Sequence, residues 1–315
     1  MATTSGADAP LPEASHPLLI LAMDHRDSLA KKVYGIPEEP TPEQASAISD
    51  GKMLVFEGAA AAVADLPAEG RAGLLVDERY GSAVARSARG SGFALIMPIE
   101  RSGRDFFELE YGGFGSSEWL DHVDAFDPDY VKVLIRDNPA FAPDARHAQQ
   151  QHLAQVGAAL ASAGRRLIVE LLVPATGPES DLPADRFDAE VRPALTDQLI
   201  REFHAAGAEP DIWKLEGFDS TESAAQVAAT AREGGRDDVR CIVLGRDASA
   251  HQLDAWLTAA APAPGFAGFA IGRSIWEKPL EDRLAGRITE DAMRGEVARA
   301  YVHYAKTYTT RAGHT

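Results

Sequence analysis

With 315 residues, 45% apolar and 25% charged side chains, the chain has the make-up of a globular protein, and it contains no apolar run long enough to span a bilayer. Its formal charge of -17 gives a field that repels phosphate backbones and anionic lipid, so neither nucleic acid nor a membrane surface is expected as partner, and any anionic ligand needs a local cluster of Lys and Arg. Cys241 is the only cysteine, which excludes an internal disulfide and a four-cysteine zinc site and makes the cytoplasm the expected location.

Residues 1–16 are rich in Ala, Pro, Ser and Thr, lack the basic start and apolar stretch of a secretory signal, and are expected to form a loose tail. Short apolar or β-branched runs then alternate with helical patterns. The predicted strands are residues 18–23, 74–76, 94–97, 130–135, 167–173, 212–215, 241–244 and 266–271. Between the first two, Thr41-Pro42-Glu43-Gln44 predicts a helix start, with Thr as cap and Gln three residues later. After the third strand, residues 105–115 carry aromatics, carboxylates and glycines and predict an active-site loop rather than a helix. Gly164 and Gly207 stand just before strands, where a left-handed residue ends a helix. No G-x-G-x-x-G follows the first strand. Eight uninterrupted β–α units therefore predict a single (β/α)8 TIM barrel over residues 17–308, followed by a tail at 309–315. A homo-oligomer is compatible with this composition.

In such a barrel the chemistry lies at the C-terminal ends of the strands. Those ends supply Asp24, His25 and Arg26; Asp77, Glu78 and Arg79; Glu100 and Arg101; Lys132; Glu170; Lys214 and Glu216; Gly245 and Arg246; and Gly272 and Arg273. Any one of these has a plain alternative, since strands stop where water begins. Lys132 and Lys214 are different, because each interrupts an apolar run and the chain has only seven lysines. Burying an ammonium is costly unless it is paired or neutralised. A partly desolvated amine near a second cation loses its proton more easily, which is what imine formation requires. The structural alternative, a salt bridge to Glu170 or Glu216, stays open.

Glu170 interrupts another apolar strand and is the expected proton carrier, with counter-ion to a lysine as its other reading. Asp24, approached by a similar run, is expected to orient a substrate hydroxyl or a lysine. Gly272-Arg273-Ser274 follows the last strand and predicts a phosphate site at a helix start, with Ser249 and Gly245 completing it. Glu100 and Arg101 join this substrate-binding set. The nine histidines show no metal spacing, and neither metal nor cofactor is expected; the alternative of a carboxylate-bound Mg²⁺ on Asp24, Asp77 and Glu100 stays open. Cys241 reads as a small packing residue.

Seven segments together carry a resemblance: Leu-Ala-Met-Asp-His-Arg at 21–26, Leu-Val-Asp-Glu-Arg-Tyr-Gly at 75–81, Met-Pro-Ile-Glu-Arg-Ser-Gly at 97–103, Tyr-Val-Lys-Val-Leu at 130–134, Glu-Leu-Leu-Val-Pro-Ala-Thr at 170–176, Trp-Lys-Leu-Glu-Gly at 213–217, and Gly-Phe-Ala-Ile-Gly-Arg-Ser-Ile-Trp at 268–276. Over residues 18–304 the chain resembles the aldolase-like family found as the C-terminal half of bifunctional 5-dehydro-2-deoxygluconokinases of inositol catabolism. More distantly it is similar to class I tagatose 1,6-bisphosphate aldolase and sulfofructose phosphate aldolase. The resemblance implies a Schiff-base aldolase with Lys214 as the imine-forming lysine, Lys132, Glu170 and Asp24 as its partners, and Gly272 and Arg273 as the phosphate grip. Arg101 stands where the tagatose enzymes have lysine, and the glycine-rich 105–115 segment follows the kinase-fused family. The implied substrate is a phosphorylated keto-sugar or keto-sugar acid that arrives already phosphorylated. The named candidate is 2-deoxy-5-keto-gluconate 6-phosphate, cleaved to dihydroxyacetone phosphate and malonate semialdehyde. The alternatives from other classes are a Mg²⁺-dependent lyase on a sugar phosphate and a non-catalytic sugar-phosphate-binding protein.

Overall fold

The computed structural model describes residues 9–312 with the exception of Asp247. In chain order the elements are β1 (Leu18–Ala22), α1 (Asp27–Lys32), α2 (Pro42–Ala62), β2 (Arg71–Leu75), α3 (Glu78–Ala88), β3 (Ala94–Pro98), α4 (Glu118–Phe126), β4 (Tyr130–Arg136), α5 (Pro143–Ser162), β5 (Arg166–Leu172), α6 (Ala184–Glu190), α7 (Arg192–Ala205), β6 (Ile212–Glu216), α8 (Thr221–Ala231), β7 (Arg240–Leu244), α9 (Ala250–Ala260), β8 (Phe266–Ile271), α10 (Arg273–Leu284) and α11 (Glu290–Ala312). The eight strands pair in parallel in sequence order, and β8 closes on β1. The fold is a single (β/α)8 TIM barrel, as expected. Among the described residues no helix is long and apolar enough to cross a membrane.

Side chains on a strand alternate between two faces, and the burial follows that period. Leu18, Ile20, Tyr130, Ile168, Ile212 and Ile242 form one buried cluster inside the barrel, whereas Leu19, Leu21, Val131, Val169 and Trp213 pack outward against the helices. Two residues further along the inward rows stand Lys132, Glu170 and Lys214. One parity rule therefore stacks an apolar plug below a charged layer.

The helices start and stop where the local chemistry requires. Thr41 caps α2 with a full capping box, its hydroxyl accepting from Gln44 N–H while the Gln44 side chain accepts from Thr41 N–H. Gly164 and Gly207 adopt φ of 69° and 87° after α5 and α7, the left-handed geometry that ends a helix. No helix forms between β3 and Glu118; Glu100 and Leu109 instead make an isolated antiparallel bridge.

Both ends of the chain depart from the expected tails. From Ala9 onward the first segment closes the bottom of the barrel: Ala9 is buried with Leu11 packed beside it, and the Tyr130 hydroxyl donates to the Pro10 carbonyl. The physical reason is that the open N-terminal end of the barrel leaves apolar side chains in need of cover. At the other end, α11 runs on through Ala312, with Tyr308 and Thr309 buried, because its inner face packs on α2 and α9. Residues 1–8 and 313–315 of the expected tails lie outside the described residues.

Candidate functional site

The inward charges meet at the C-terminal mouth of the barrel. Lys132 Nζ lies 2.9 Å from Asp24 Oδ2, 2.9 Å from Glu100 Oε1 and 2.8 Å from Glu170 Oε2. Lys214 Nζ lies 2.9 Å from the same Glu170 oxygen. Sequence reasoning left open whether the lysines are salt-bridged, and both are bonded to Glu170.

The electrostatics follow from burial and count. Burial opposes the charged form of Lys132, but the carboxylates of Asp24, Glu100 and Glu170 outweigh it and hold the amine's pKa well above the ordinary lysine range. For Asp24, burial would raise the pKa, yet Lys132 and Lys214 dominate and hold it far below the usual carboxylate range. Glu170 is depressed for the same reason, with burial and Asp24 pulling the other way.

These groups line a cleft of about 310 Å³. Lys and Arg contribute eight of its lining residues and Asp and Glu three, an inversion of the -17 charge of the whole chain. On one side lie Gly272 and Arg273 at the start of α10, and the Gly272 backbone touches the end of β1 so closely that a Cβ there would sit 2.5 Å from the Ala22 carbonyl oxygen. Arg273 has a loose ion pair with Glu277 of its own helix at 3.9 Å. Gly245, Arg246 and Arg101 also line the cleft.

Three of the strand-end positions have structural partners of their own. Ser249 is absent from the cleft lining, and its hydroxyl accepts from Gln252 N–H as the cap of α9. Glu216 shares the inward face with Lys214, but bonds Arg246 and accepts from Val173 N–H at 2.8 Å. Glu100, expected as a substrate contact, lines the cleft and also pairs with both Lys132 and Arg26.

Sequence reasoning also passed over Lys52. It sits in the middle of α2 on the apolar stripe of Ile48, Val55 and Ala59, and its buried amine donates to the Met23 carbonyl at 2.7 Å and to Asp77. Burial pushes the Lys52 pKa down, against the pull of Asp77. A lysine on a helix's core-facing stripe was the available signal. The carboxylates weighed as Mg²⁺ ligands are thus divided between two lysines, Asp24 and Glu100 on Lys132 and Asp77 on Lys52. Among the described residues no cluster of three or more His, Cys, Asp or Glu is arranged to hold a metal ion. Cys241 is buried in β7, where desolvation pushes its thiol up to about 12. The 105–115 loop is anchored to the site through Glu110, which pairs with Arg26 at 3.3 Å, and by Tyr111 stacked on His122 and Phe114 on His152.

Against known proteins, the family described as "Uncharacterized protein conserved in bacteria (DUF2090)" matches residues 9–312, and the chain belongs to it. No curated protein matches the sequence. Among solved structures, Cgl0159 from Corynebacterium glutamicum is 15% identical with a TM-score of 0.61, over 96% of this chain and 88% of that one. An archaeal fructose-1,6-bisphosphate aldolase, whose catalytic Lys is covalently bound to the carbinolamine intermediate of its substrate, is 13% identical with a TM-score of 0.55, over 94% and 95%. The fructose-bisphosphate aldolase of Slackia heliotrinireducens DSM 20476 is 12% identical with a TM-score of 0.54, over 94% and 96%. At these identities the likeness is one of fold.

Proposed function

We propose that this DUF2090 member is a class I aldolase that cleaves a phosphorylated keto-sugar or keto-sugar acid in the cytoplasm, with Lys214 forming the imine. The observation that supports this reading most is the single Glu170 oxygen held between two buried lysines at the barrel mouth. Lys132, bonded to three carboxylates, is kept protonated and has no lone pair to attack with. Lys214 has one of those carboxylates as partner and is the amine left for carbon. The fold shared with aldolases, one of them trapped on its catalytic lysine, supports lysine chemistry at the barrel mouth.

In the proposed reaction the free amine of Lys214 adds to the substrate ketone to give a carbinolamine, which loses water to become an iminium. Glu170 then takes the proton from the hydroxyl on the carbon beyond the scissile bond, that bond breaks, and its electron pair passes to the iminium as an enamine. The aldehyde leaves. A proton returned to the enamine carbon and water added to the imine release the second product and regenerate Lys214. Lys132 holds Glu170 and Asp24 orients the substrate hydroxyls, while the Gly272 backbone, Arg273 and the other cations of the mouth hold the phosphate. Arg101 and Gly245 are placed with the substrate rather than with the bond broken. For 2-deoxy-5-keto-gluconate 6-phosphate the products are dihydroxyacetone phosphate and malonate semialdehyde.

Borohydride reduction in the presence of dihydroxyacetone phosphate, followed by peptide mass mapping, tests the reading. A stable adduct on Lys214 is expected. Absence of any modified lysine, together with turnover that chelator stops, would reject the imine mechanism.

A further inference from the structure

His25 follows Asp24 at the end of the first strand and has no part in the reaction just described. Its ring lies where β1 and β8 converge: a Cβ on Gly272 would stand 3.1 Å from His25 Cε1, so the imidazole rests against the backbone that opens α10. Trp276 fixes it there. The two rings meet edge to face at 5.4 Å and 71°, and the indole N–H donates to the Ala22 carbonyl at 2.9 Å. His25 lines both the main cleft and a small recess behind it, and Ser28, Lys32 and Arg273 border both spaces as well.

The ring nitrogens are not equivalent. His25 Nδ1 is buried and has no hydrogen-bond partner among the described residues. A neutral imidazole carries one N–H and one lone pair, and a buried N–H without an acceptor is costly. The proton therefore belongs on Nε2. We infer that His25 is a further anion-binding residue, donating its Nε2–H to the phosphate held by Gly272 and Arg273. This inference rests on the aldolase reading only for the identity of the anion as a substrate phosphate.

The surroundings fit a donor that stays uncharged. The charged groups facing the ring are Asp24 after β1, Lys32 on α1, Lys52 on α2, Lys214 on β6, and Arg273 and Glu277 on α10. Burial, joined by Arg273, Lys52 and Lys214, outweighs Asp24 and lowers the pKa to about 4. An imidazole that remains neutral at physiological pH adds a contact to the phosphate without adding another full charge beside Lys214. It does so over the range in which phosphate itself takes up its second charge.

Calorimetric titration of the full chain with inorganic phosphate, without any carbonyl compound, tests this. His25→Ala and His25→Phe should each weaken phosphate binding about tenfold, the worth of one hydrogen bond to a charged group. His25→Asn, which keeps an N–H donor, should recover most of the loss. Long-range ¹H–¹⁵N correlation should find the His25 ring with its proton on Nε2, unchanged between pH 6 and 8, and perturbed by phosphate. Phosphate affinity equal to wild type in both the Ala and Phe variants, a proton on Nδ1, or no phosphate binding by the wild type would each overturn the inference. The two readings separate cleanly. Loss of lysine trapping with the phosphate phenotype intact removes the aldolase and leaves the anion site, whereas trapping on Lys214 with indifferent His25 variants removes only His25.

Discussion

Lys132 and Lys214 share one atom: Glu170 Oε2 lies 2.8 Å from the first amine and 2.9 Å from the second. A single carboxylate oxygen is shared by two lysines, and the asymmetry between them comes from Asp24 and Glu100, which bond Lys132. The pair is thus divided into a fixed cation and an amine with fewer partners.

Substituting each lysine should fail differently. Lys214→Ala should abolish borohydride trapping. Lys132→Ala should retain some trapping on Lys214, because the nucleophile itself is untouched. Mapping the adduct to Lys132 would reverse the assignment.

Glu170→Gln should separate bond formation to nitrogen from proton transfer. Trapping on Lys214 should persist while turnover falls by roughly 10²–10⁴-fold, the usual worth of a positioned acid–base group. Turnover near the wild-type rate would leave Glu170 as a counter-ion alone.

Arg273→Ala should weaken substrate binding by about 1.5–3 kcal/mol, as expected for one charge-assisted contact. An unchanged apparent affinity for the phosphorylated substrate would take Arg273 out of the grip.

The charged layer also predicts how stability responds to pH. Asp24 and Glu170 have folded-state pKa values depressed by the two lysines, so their contribution is present above the unfolded carboxylate range and is lost as pH falls through the lower folded values. Lys132 is raised, so its contribution is complete below the ordinary lysine pKa and is lost only in stronger alkali. Wild-type stability from this cluster should therefore be flat from pH 5 to 8. Lys132→Met should cost about 3–5 kcal/mol by leaving buried carboxylates uncompensated. In that variant, stability should rise as pH falls toward 5, because protonating a carboxylate relieves the repulsion. Urea midpoints at pH 5 and 8 measure the slope, and a flat variant would refute the coupling.

The barrel and its charged mouth were legible because both rest on short-range patterns. Tyr130, Lys132 and Leu134 share a face by strand period alone, as do Ile212, Lys214 and Glu216. The beginning of β2 was not legible, since Arg71, Ala72 and Gly73 are not an apolar run and become a strand by pairing with Leu18, Leu19 and Ile20. The capping role of Ser249 was not legible because a serine after a strand reads equally as ligand contact or helix cap. Lys52 reaches Asp77 across two different β–α units, a contact that depends on how the helix is rotated about its axis. The packing of Ala9 under the barrel likewise depends on the closed end existing first.

That closure has a consequence for how the chain is made. The Tyr301 hydroxyl of α11 donates to the Leu19 carbonyl across 282 residues, and β8 supplies the second edge of β1. At translation speeds of about 5–20 residues per second, the first strand waits on the order of tens of seconds for these partners. Until then the strand Leu18–Ala22, apolar throughout, has one sheet edge without its native neighbour. The nascent protein therefore depends on β8 and α11 to cover the edge made first, and release of the chain before they emerge leaves a strand open to aggregation.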